Sequence, residues 1–383
     1  MGKNTSALDS RYIIDGLRMD ATPRQILAAL GAEEGSCSVK GGRIGDDLAF
    51  EDIIDESADP SPVYERPSQE EVSQFLSSAA PHGRSSFPLS YCGSLSRLAV
   101  ASAVLDLLMR NGTFRIGDLG VSAAWEWDEG RIGAMASFYE SVSAAAGYIE
   151  DLGLELESFS YRSSDRIRLG VEARIAPARG KADENIIIEK PFSAQNPVLA
   201  PGFRCPGKAV GDKDNWLIYI PFDTCSYRLG GSLLSQELGF QGGKSPDLGD
   251  ADYFIDCFEV VRELVEDGIV LSGLPVAEGG LMKALRQLCE GRSLCADISG
   301  IMNSAAEDDP VKVLFGEIPG ALVEIKSPDF DYVDVELLLQ DVAYYPLGRF
   351  DGSEGELKIN TAPGAGLQGI LQALLGEASE GED

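Results

Sequence analysis

Two pairs of glycines lie where a protein backbone could meet an anion. Gly230 and Gly231 precede Ser232 at the start of a helical pattern, and Gly279 and Gly280 precede another. Glycine permits tight turns and a close backbone approach, and the N–H groups of a first helical turn can face an anion. The N–H groups of Gly231 and Ser232 therefore form a weak anion-site candidate. The alternative is that these glycines only allow the backbone to pack closely, and packing is the more common role of glycine at such positions.

Histidine and cysteine chemistry is sparse in this chain. His82 is the only histidine, and no CxxC pair occurs among the seven cysteines. A zinc site and a histidine-based triad are therefore not expected. The cysteines are odd in number and scattered, which indicates reduced thiols and not a disulfide framework.

The charge balance disfavours several classes of partner. The chain of 383 residues carries 62 acidic against 32 basic residues, for a formal charge of −30. Such a surface repels nucleic-acid phosphates and anionic lipid, so neither nucleic-acid binding nor membrane-surface binding is expected. The most apolar stretch, Leu98 to Met109, is shorter than the ~20 residues of a membrane helix. The N-terminus lacks the apolar run of a secretory signal, and we expect a cytoplasmic protein.

Periodic patterns predict the elements of the first half of the chain. From Ser94, and again from about Met135 to Leu152, apolar residues recur at three- and four-residue spacing, which is typical of helices. Gly153 follows the second helix as a stop signal. The further predictions are a helix over Pro23–Leu30 and strands at Ile44–Phe50, GVSAAWEW, Leu154–Tyr161, Ile167–Ile175 and Ile186–Ile188.

The second half alternates predicted strands and helices, which indicates a mixed α/β fold. A passage rich in Pro and Gly, residues 191–211, suggests a boundary between subdomains 1–195 and 196–375, followed by an acidic tail, 376–383. The predicted order is the strand WLIYIPF, helices in RLGGSLLSQELG and DYFIDCFEVVRELVEDG, the strand IVLSG, the turn and helix PVAEGGLMKALRQLC, the helix-to-strand run DPVKVLFGEIPGALVEI, and an α-plus-β unit from Val335 to Asn360.

Several of these segments resemble, in order, the formylglycinamidine ribonucleotide synthase family of the aminoimidazole ribonucleotide synthetase superfamily. SLSRLAVASAVLDLL is similar to the family's Leu-Ala-Ile-Ala-Glu-Ala-Leu-Thr-Asn helix, and VSAAWEW to its Ser-Ala-Asn-Trp-Met-Trp segment. RLGGSLLSQ resembles the start of the Leu-Gly-Gly-Ser helix, LSGLPVAEGGL the Ser-Gly-His-Asp turn, and VLFGEIPG the Leu-Phe-x-Glu-x-Pro-Gly run. The similarity covers about residues 92 to 325, and residues 1–90 are not placed by it.

The resemblance is to the second of two homologous halves in the large synthases. It implies an N-terminal ferredoxin-like half-barrel subdomain, a C-terminal α/β subdomain, and a site that holds a structural ADP with magnesium. Neither the catalytic half's Glu-Thr-His-Asn-His-Pro motif nor a glutaminase domain is found. In this superfamily the N-terminal sheets of two halves or two chains join into a shared barrel.

Most of the polar site positions implied by the resemblance are replaced. The family's helix glutamate and asparagine, which bind magnesium, fall on Ser102 and Asp106. Its histidine and aspartate in the Gly-His-Asp turn fall on Leu274 and Pro275, whose side chains cannot bind a metal. The asparagine before the first tryptophan becomes Ala124.

A few positions keep chemistry that could serve a nucleotide. The family's Gly-Lys-Asp-Ser run falls near residues 159–162, where Arg162 could bind phosphate bidentately. Asp46 and Asp47 resemble the aspartate that binds magnesium after the family's first strand, although an acidic turn explains them equally well. With Asp106, they are the weak magnesium candidates.

The remaining features have structural interpretations. Glu317, with Pro319 and Gly320, is most simply part of a turn, because the helix-to-strand junction needs one. Trp125 and Trp127 alternate along a strand, where core or interface aromatics are the default. The scaffold is kept while the ligands are lost, which indicates a degenerate nucleotide site that is either empty or binds ADP or ATP with weakened affinity.

Three hypotheses follow. The chain could be a non-catalytic pseudo-half in purine biosynthesis that forms a homodimer or a hetero-oligomer with a synthase-like half. Its interface should then be apolar and larger than ~1,200 Å² in total. It could be a repurposed binding or regulatory protein that kept only the fold. It could also be an enzyme that uses ATP and magnesium with altered ligands.

Overall fold

The computed structural model describes most of the chain. The described residues are 4–35, 42–44, 50–52, 66–77, 84–110, 112–175, 204–239 and 243–361. Asp46, Asp47, His82, the predicted strand Ile186–Ile188 and the acidic tail lie outside these residues. The proposed subdomain boundary at residue 195 also lies outside them, and the division into subdomains remains a prediction.

The strands lie in five sheets, with the orders β1-β5, β3-β2-β6, β4-β8-β7-β9, β11-β13-β10-β14 and β12-β15. They are β1 (Asn4–Ser6), β2 (Tyr12–Ile14), β3 (Leu17–Arg18), β4 (Glu33–Glu34), β5 (Gly42–Ile44), β6 (Phe50–Asp52), β7 (Leu119–Trp127), β8 (Glu155–Ser163), β9 (Arg168–Ile175), β10 (Trp216–Pro221), β11 (Val270–Val276), β12 (Leu294–Asp297), β13 (Gly320–Ile325), β14 (Tyr345–Arg349) and β15 (Leu357–Asn360).

The helices alternate with these strands along the chain, so the predicted mixed α/β class is confirmed. They are α1 (Pro23–Ala29), α2 (Gln69–Ser77), α3 (Cys92–Leu108), α4 (Ala134–Asp151), α5 (Leu233–Leu238), α6 (Ala251–Glu266), α7 (Gly280–Leu288), α8 (Ser299–Ala305), α9 (Pro310–Phe315) and α10 (Phe330–Leu339).

The N-terminal sheet is built around β7, which pairs parallel with β8 and antiparallel with β9. Side chains alternate across a strand, so every second residue of β7 faces the core. Trp125 and Trp127 face it and are buried: their indole N–H groups donate to Ser141 Oγ at 3.0 Å and to the Ala134 carbonyl at 2.6 Å. The interpretation of these tryptophans as core residues is confirmed.

Helix α3 lies in the core, although its composition could suit a membrane. The stretch Leu89–Leu108 has 20 residues with a mean hydropathy of 1.3, so the sequence holds a longer apolar segment than we expected. Of this stretch, 61% is buried inside the protein. Val100, Ala101 and Val104 are fully enclosed, which accounts for the apolar composition through packing.

The C-terminal sheet, β11-β13-β10-β14, separates two hydrophobic cores. Alternate residues of β10 divide between them: Ile218 and Ile220 pack with α6 and with the helices α3 and α4, whereas Leu217 and Tyr219 pack with α5, α7 and α9. Two buried faces explain why this strand reads as a continuous apolar run. The first core is continuous with the core of the N-terminal sheet.

Two predicted boundaries are corrected by the structure. Leu274, Pro275 and Val276 continue β11 and pair with β13, where the sequence suggested a turn. Gln69 begins α2, whereas the acidic segment around it was expected to be an exposed loop. In both cases the tertiary partner outweighs a local turn signal.

Candidate functional site

The start of α5 is formed by the first glycine pair. Ser232 caps the helix, and its Oγ accepts the Ser235 N–H at 3.2 Å. Gly231 has φ +71°, a left-handed value that favours glycine. A Cβ on Gly230 would collide with the Gly243 carbonyl oxygen. The N–H of Gly230 donates to the Lys244 carbonyl at 3.0 Å. The close packing of backbone therefore requires a glycine at 230, and the left-handed φ favours one at 231.

The start of α7 is formed by the second glycine pair in a similar way. Gly279 and Gly280 have φ values of +86° and +69°. A Cβ on Gly280 would lie 2.6 Å from the Leu314 carbonyl oxygen. This close approach brings the start of α7 against the end of α9 and the turn that follows it.

Glu317 lies in that turn, between α9 and β13, and its carboxylate occupies the point where the two helix starts meet. Its Oε1 accepts the Leu233 N–H at 2.7 Å and the Gly279 N–H at 2.9 Å. Its Oε2 accepts a hydrogen bond from Arg84 Nη2 at 2.6 Å. Glu317 is buried and has φ +54°, an uncommon value for a residue with a side chain. The turn interpretation is confirmed, but the carboxylate also has a specific position.

Arg84 closes the other side of this arrangement, and only 4% of its side chain is exposed. Its Nη2 also donates to the Gly231 carbonyl at 2.9 Å, and its backbone N–H donates to Glu278 Oε1 at 2.9 Å. Its Nη1 lies 3.7 Å from Glu278 Oε2. The buried Nε has no hydrogen-bond partner among the described residues. Arg84 thus joins both helix starts to the turn at Glu317.

The arrangement has the chemistry of an anion site that is already occupied. Two backbone N–H groups at helix starts and a guanidinium are the donors that hold phosphate or carboxylate groups in proteins. Here the anion that they hold is the side chain of Glu317. We call Arg84, Leu233, Gly279 and Glu317 the Glu317 cluster.

Tyr227 lies beside this cluster, with its ring against Gly316. A Cβ on Gly316 would be 3.3 Å from the Tyr227 ring. Burial raises the pKa of Tyr227 well above the ordinary value of a phenol.

The residues expected to bind phosphate lie on separate elements. Ser232 is at the start of α5, but its N–H donates to the Leu229 carbonyl at 3.0 Å. Arg162 is on β8 and pairs with Glu126 on β7, exposed on the outer face of the N-terminal sheet. The structure describes no contact between Arg162 and Gly230, Gly231 or Ser232.

The structure describes no magnesium site around the expected ligands. Asp106 lies on α3, half exposed, with Oδ1 2.6 Å from Arg204 Nη2. Ser102 donates to the Leu98 carbonyl at 2.6 Å, and Leu274 is buried. Among the described residues, no three His, Cys, Asp or Glu side chains are grouped as a metal site. Asp46 and Asp47 are outside those residues, so their role remains a prediction.

Sequence reasoning missed Arg84 and Glu278, and it missed the carboxylate of Glu317 as a hydrogen-bond acceptor. Glu317 was visible in the run FGEIPG, where the turn was recognised but not the partner. Arg84 precedes the segments that carry the family resemblance, and no local pattern links it to Gly231 or Glu317. A buried arginine is identified only when its partners are known.

Sequence comparison finds proteins that this chain resembles. Over 241 residues the chain is 24% identical to the phosphoribosylformylglycinamidine synthase of Homo sapiens, covering 62% of this chain and 17% of that protein. Over 272 residues it is 25% identical to the Drosophila melanogaster synthase, covering 68% and 19%. The chain is a relative of the phosphoribosylformylglycinamidine synthases. No family model matches it, and it spans less than a fifth of the length of these synthases.

The chain is also similar to several solved structures. Thermotoga maritima PurL complexed with AMPPCP has a TM-score of 0.47 at 11% identity, covering 71% of this chain and 40% of that one. Escherichia coli HypE, a hydrogenase maturation protein, has a TM-score of 0.45 at 12% identity, covering 74% and 80%.

Proposed function

We propose that this synthase relative is a non-catalytic pseudo-half, which acts through a synthase-like partner or a second copy in purine biosynthesis and has lost effective nucleotide binding. The observation that carries the proposal is the loss of side-chain oxygens at the positions that the resemblance assigns to magnesium, where Leu274 and Pro275 offer none. The Glu317 carboxylate, which the family's run shares, also occupies two helix-start N–H groups and a guanidinium.

The cost of displacing Glu317 decides how well a nucleotide could bind at this position. Breaking a buried, hydrogen-bonded ion pair costs about 3–5 kcal/mol. Each 1.4 kcal/mol is about a tenfold change in affinity, so a site of ~1 µM would weaken to about 1 mM. A phosphate would also have to approach a chain with a formal charge of −30. Both effects oppose a tightly held ADP.

The metal candidates add little in compensation. Magnesium prefers several oxygen ligands in octahedral geometry. Asp106 is engaged with Arg204, and Leu274 and Pro275 offer no side-chain oxygen. Of the magnesium candidates that the resemblance implies, Asp46 and Asp47 then remain.

A thermal-shift titration with ADP and ATP, each with and without magnesium, tests the nucleotide part of the proposal. Ligand that binds the native state must raise the melting temperature. We expect no rise for the wild-type chain at ~10 µM nucleotide, which is far below the dissociation constant of about 1 mM estimated above. A magnesium-dependent rise at ~10 µM nucleotide would refute the loss of binding, and substitution of Asp46, Asp47 and Asp106 would then locate the metal.

The Glu317→Ala variant tests whether the carboxylate occupies donors that could otherwise bind phosphate. Removing the carboxylate frees the N–H groups of Leu233 and Gly279 together with Arg84, so we expect inorganic phosphate to stabilise this variant more than the wild type. The matched control is Glu290→Ala, whose exposed carboxylate pairs with Lys208 away from the cluster. Equal stabilisation of all three proteins would indicate a general salt effect.

The partner part of the proposal needs a separate measurement. Sedimentation of the purified chain, alone and mixed with a synthase catalytic half, reports whether it pairs with itself or with that half. We expect one of these complexes. A chain that remains monomeric in both conditions would contradict the pseudo-half role and favour a repurposed binding protein.

A further inference from the structure

Helix α10 carries apolar residues on two opposite faces. Val333 and Leu337 face the core and are fully buried. Tyr332, Val335, Leu338 and Leu339 face outward, and between 44% and 73% of each remains exposed. Single exposed apolar residues are normal, but four of them on one face of a helix form a larger apolar surface, which more often marks an interaction site.

The four exposed residues form one continuous patch, which we call the α10 patch. At 100° per residue, positions 332, 335, 338 and 339 fall within an arc of about 120° on the helix. The spacing of three and four residues places these side chains next to one another on the helix surface. The patch is on the order of a few hundred Å², the size at which an exposed apolar surface is often an interaction site.

Carboxylates surround the α10 patch. On the helix itself, Asp331 lies within the arc, Asp334 and Glu336 lie at its two borders, and there is no lysine or arginine. Asp334 accepts a hydrogen bond from the Tyr344 hydroxyl.

The neighbouring helix adds to this acidic surround. Partial burial, with the nearby charges of Glu336, Asp267 and Glu263, raises the pKa of Tyr332. Glu263 is paired with Arg115 at 2.7 Å. Arg349 lies near the first turn of α10, stacked on Trp216. Two further basic residues lie close by, the buried Arg262, which pairs with Glu266, and the exposed Lys326 just before α10, so acidic residues are in excess around the patch but are not alone.

We propose that the α10 patch is a docking surface for a basic amphipathic helix of a partner protein. The apolar arc would receive the apolar face of such a helix, and the carboxylates would pair with its flanking lysines or arginines. A second copy would bring the same carboxylates and a further charge of −30, so self-association through this face is disfavoured. Nucleic acid and anionic lipid are repelled for the same reason. The inference does not rest on the proposed function, because the patch shares no residue with the Glu317 cluster.

Fluorescence anisotropy with designed peptides tests this proposal. The probe is a labelled 18-residue amphipathic helix of Leu and Lys, and its counterpart has Glu in place of Lys. We expect the Lys peptide to bind and the Glu peptide not to bind. The double variant Leu338→Ser/Leu339→Ser should weaken binding of the Lys peptide by at least ~10-fold, because it removes the centre of the apolar contact.

The matched controls are Leu17→Ser and Ile132→Ser, which remove apolar residues that are 69% and 75% exposed elsewhere. All variants change exposed residues and keep the net charge, and their melting temperatures verify folding. Equal binding by the wild type, the double variant and the controls would mean diffuse attraction to an acidic protein and would overturn the proposal.

Photo-crosslinking identifies the occupant directly. The variant Leu339→p-benzoylphenylalanine carries a photo-crosslinking side chain in the α10 patch. On irradiation in the presence of the Lys peptide, we expect a cross-link to that peptide. Cross-links to a second copy of the chain, or to residues 362–383 of the same chain, that the peptide does not displace would assign the patch to those occupants and overturn the proposal.

Discussion

The Oε2 atom of Glu317 lies 2.6 Å from Nη2 of Arg84, and less than one twentieth of either side chain is exposed. The two residues are 233 positions apart in the chain. Their contact ties the segment before α3 to the turn between α9 and β13. It also satisfies charge that would be costly to bury alone.

Replacing Glu317 tests how much this contact stabilises the fold. In Glu317→Gln the amide would place an N–H against Nη2 of Arg84, and the guanidinium would keep only the Gly231 carbonyl and the more distant Glu278 carboxylate. We expect the free energy of unfolding to fall by about 3–5 kcal/mol, measured by urea denaturation. The double variant Arg84→Met/Glu317→Gln removes both partners and should lose less than the sum of the single variants. Strict additivity would mean that the two groups do not interact.

The glycine at the start of α5 offers a second test. In Gly231→Ala the residue must keep φ +71°, and the new Cβ would lie 2.9 Å from the ring of Tyr91. That ring is held by a hydrogen bond from its hydroxyl to the Gly243 carbonyl at 2.7 Å. The left-handed backbone costs about 1–2 kcal/mol, and the steric conflict adds about 1–3 kcal/mol.

Gly239→Ala is the matched control for this experiment. Gly239 ends α5 with φ +68°, and no atom lies within 4 Å of the position of a Cβ. It should lose only the backbone contribution. Equal losses of unfolding free energy in the two variants would contradict the close approach of Tyr91 to Gly231.

A third test concerns Glu324, which is fully buried in β13. Its carboxylate accepts the N–H groups of Val210 and Gly211 at 2.7 and 2.8 Å, and it also accepts from Asn215 and Ser272. In Glu324→Ala these donors lose their acceptor, and each unsatisfied buried donor costs about 1–3 kcal/mol. We expect a loss of at least about 3 kcal/mol and faster hydrogen exchange at the amides of Val210 and Gly211.

The control for Glu324 is Glu290→Gln, which changes an exposed carboxylate paired with Lys208. Exposed ion pairs contribute little to stability, so its unfolding midpoint should be unchanged. Unchanged exchange at Val210 and Gly211 in Glu324→Ala would show that the carboxylate does not hold this segment.

The elements of the fold were largely predictable from the sequence. The periodicity from Ser94 predicted α3, the pattern ending before Gly153 predicted α4, and WLIYIPF predicted β10, since local spacing reflects which residues face a core. The strand at Leu274–Val276 was missed because Pro275 is a turn signal by itself. Only the pairing with β13 overrides that signal.

The candidate site was less predictable. Gly230, Gly231 and Ser232 were recognised at the start of α5, and Glu317 was recognised in its turn. Arg162 and Asp106 were grouped with them through the family resemblance alone. In the structure they form ion pairs with Glu126 and Arg204 on their own surfaces, which a sequence pattern cannot reveal.

The sequence by itself determined the mixed α/β class and the acidic surface, because periodicity and composition are local properties, and its ordered motifs indicated the relationship to the synthases through their resemblance to that family. Only the tertiary structure decided that Glu317, Arg84 and the starts of α5 and α7 meet at one point. It also decided that the outer face of α10 remains exposed. These features depend on contacts between residues far apart in the chain. Whether a carboxylate such as that of Glu317 finds a partner, and whether an apolar side chain of α10 is buried or exposed, is decided only when the sheets and helices pack.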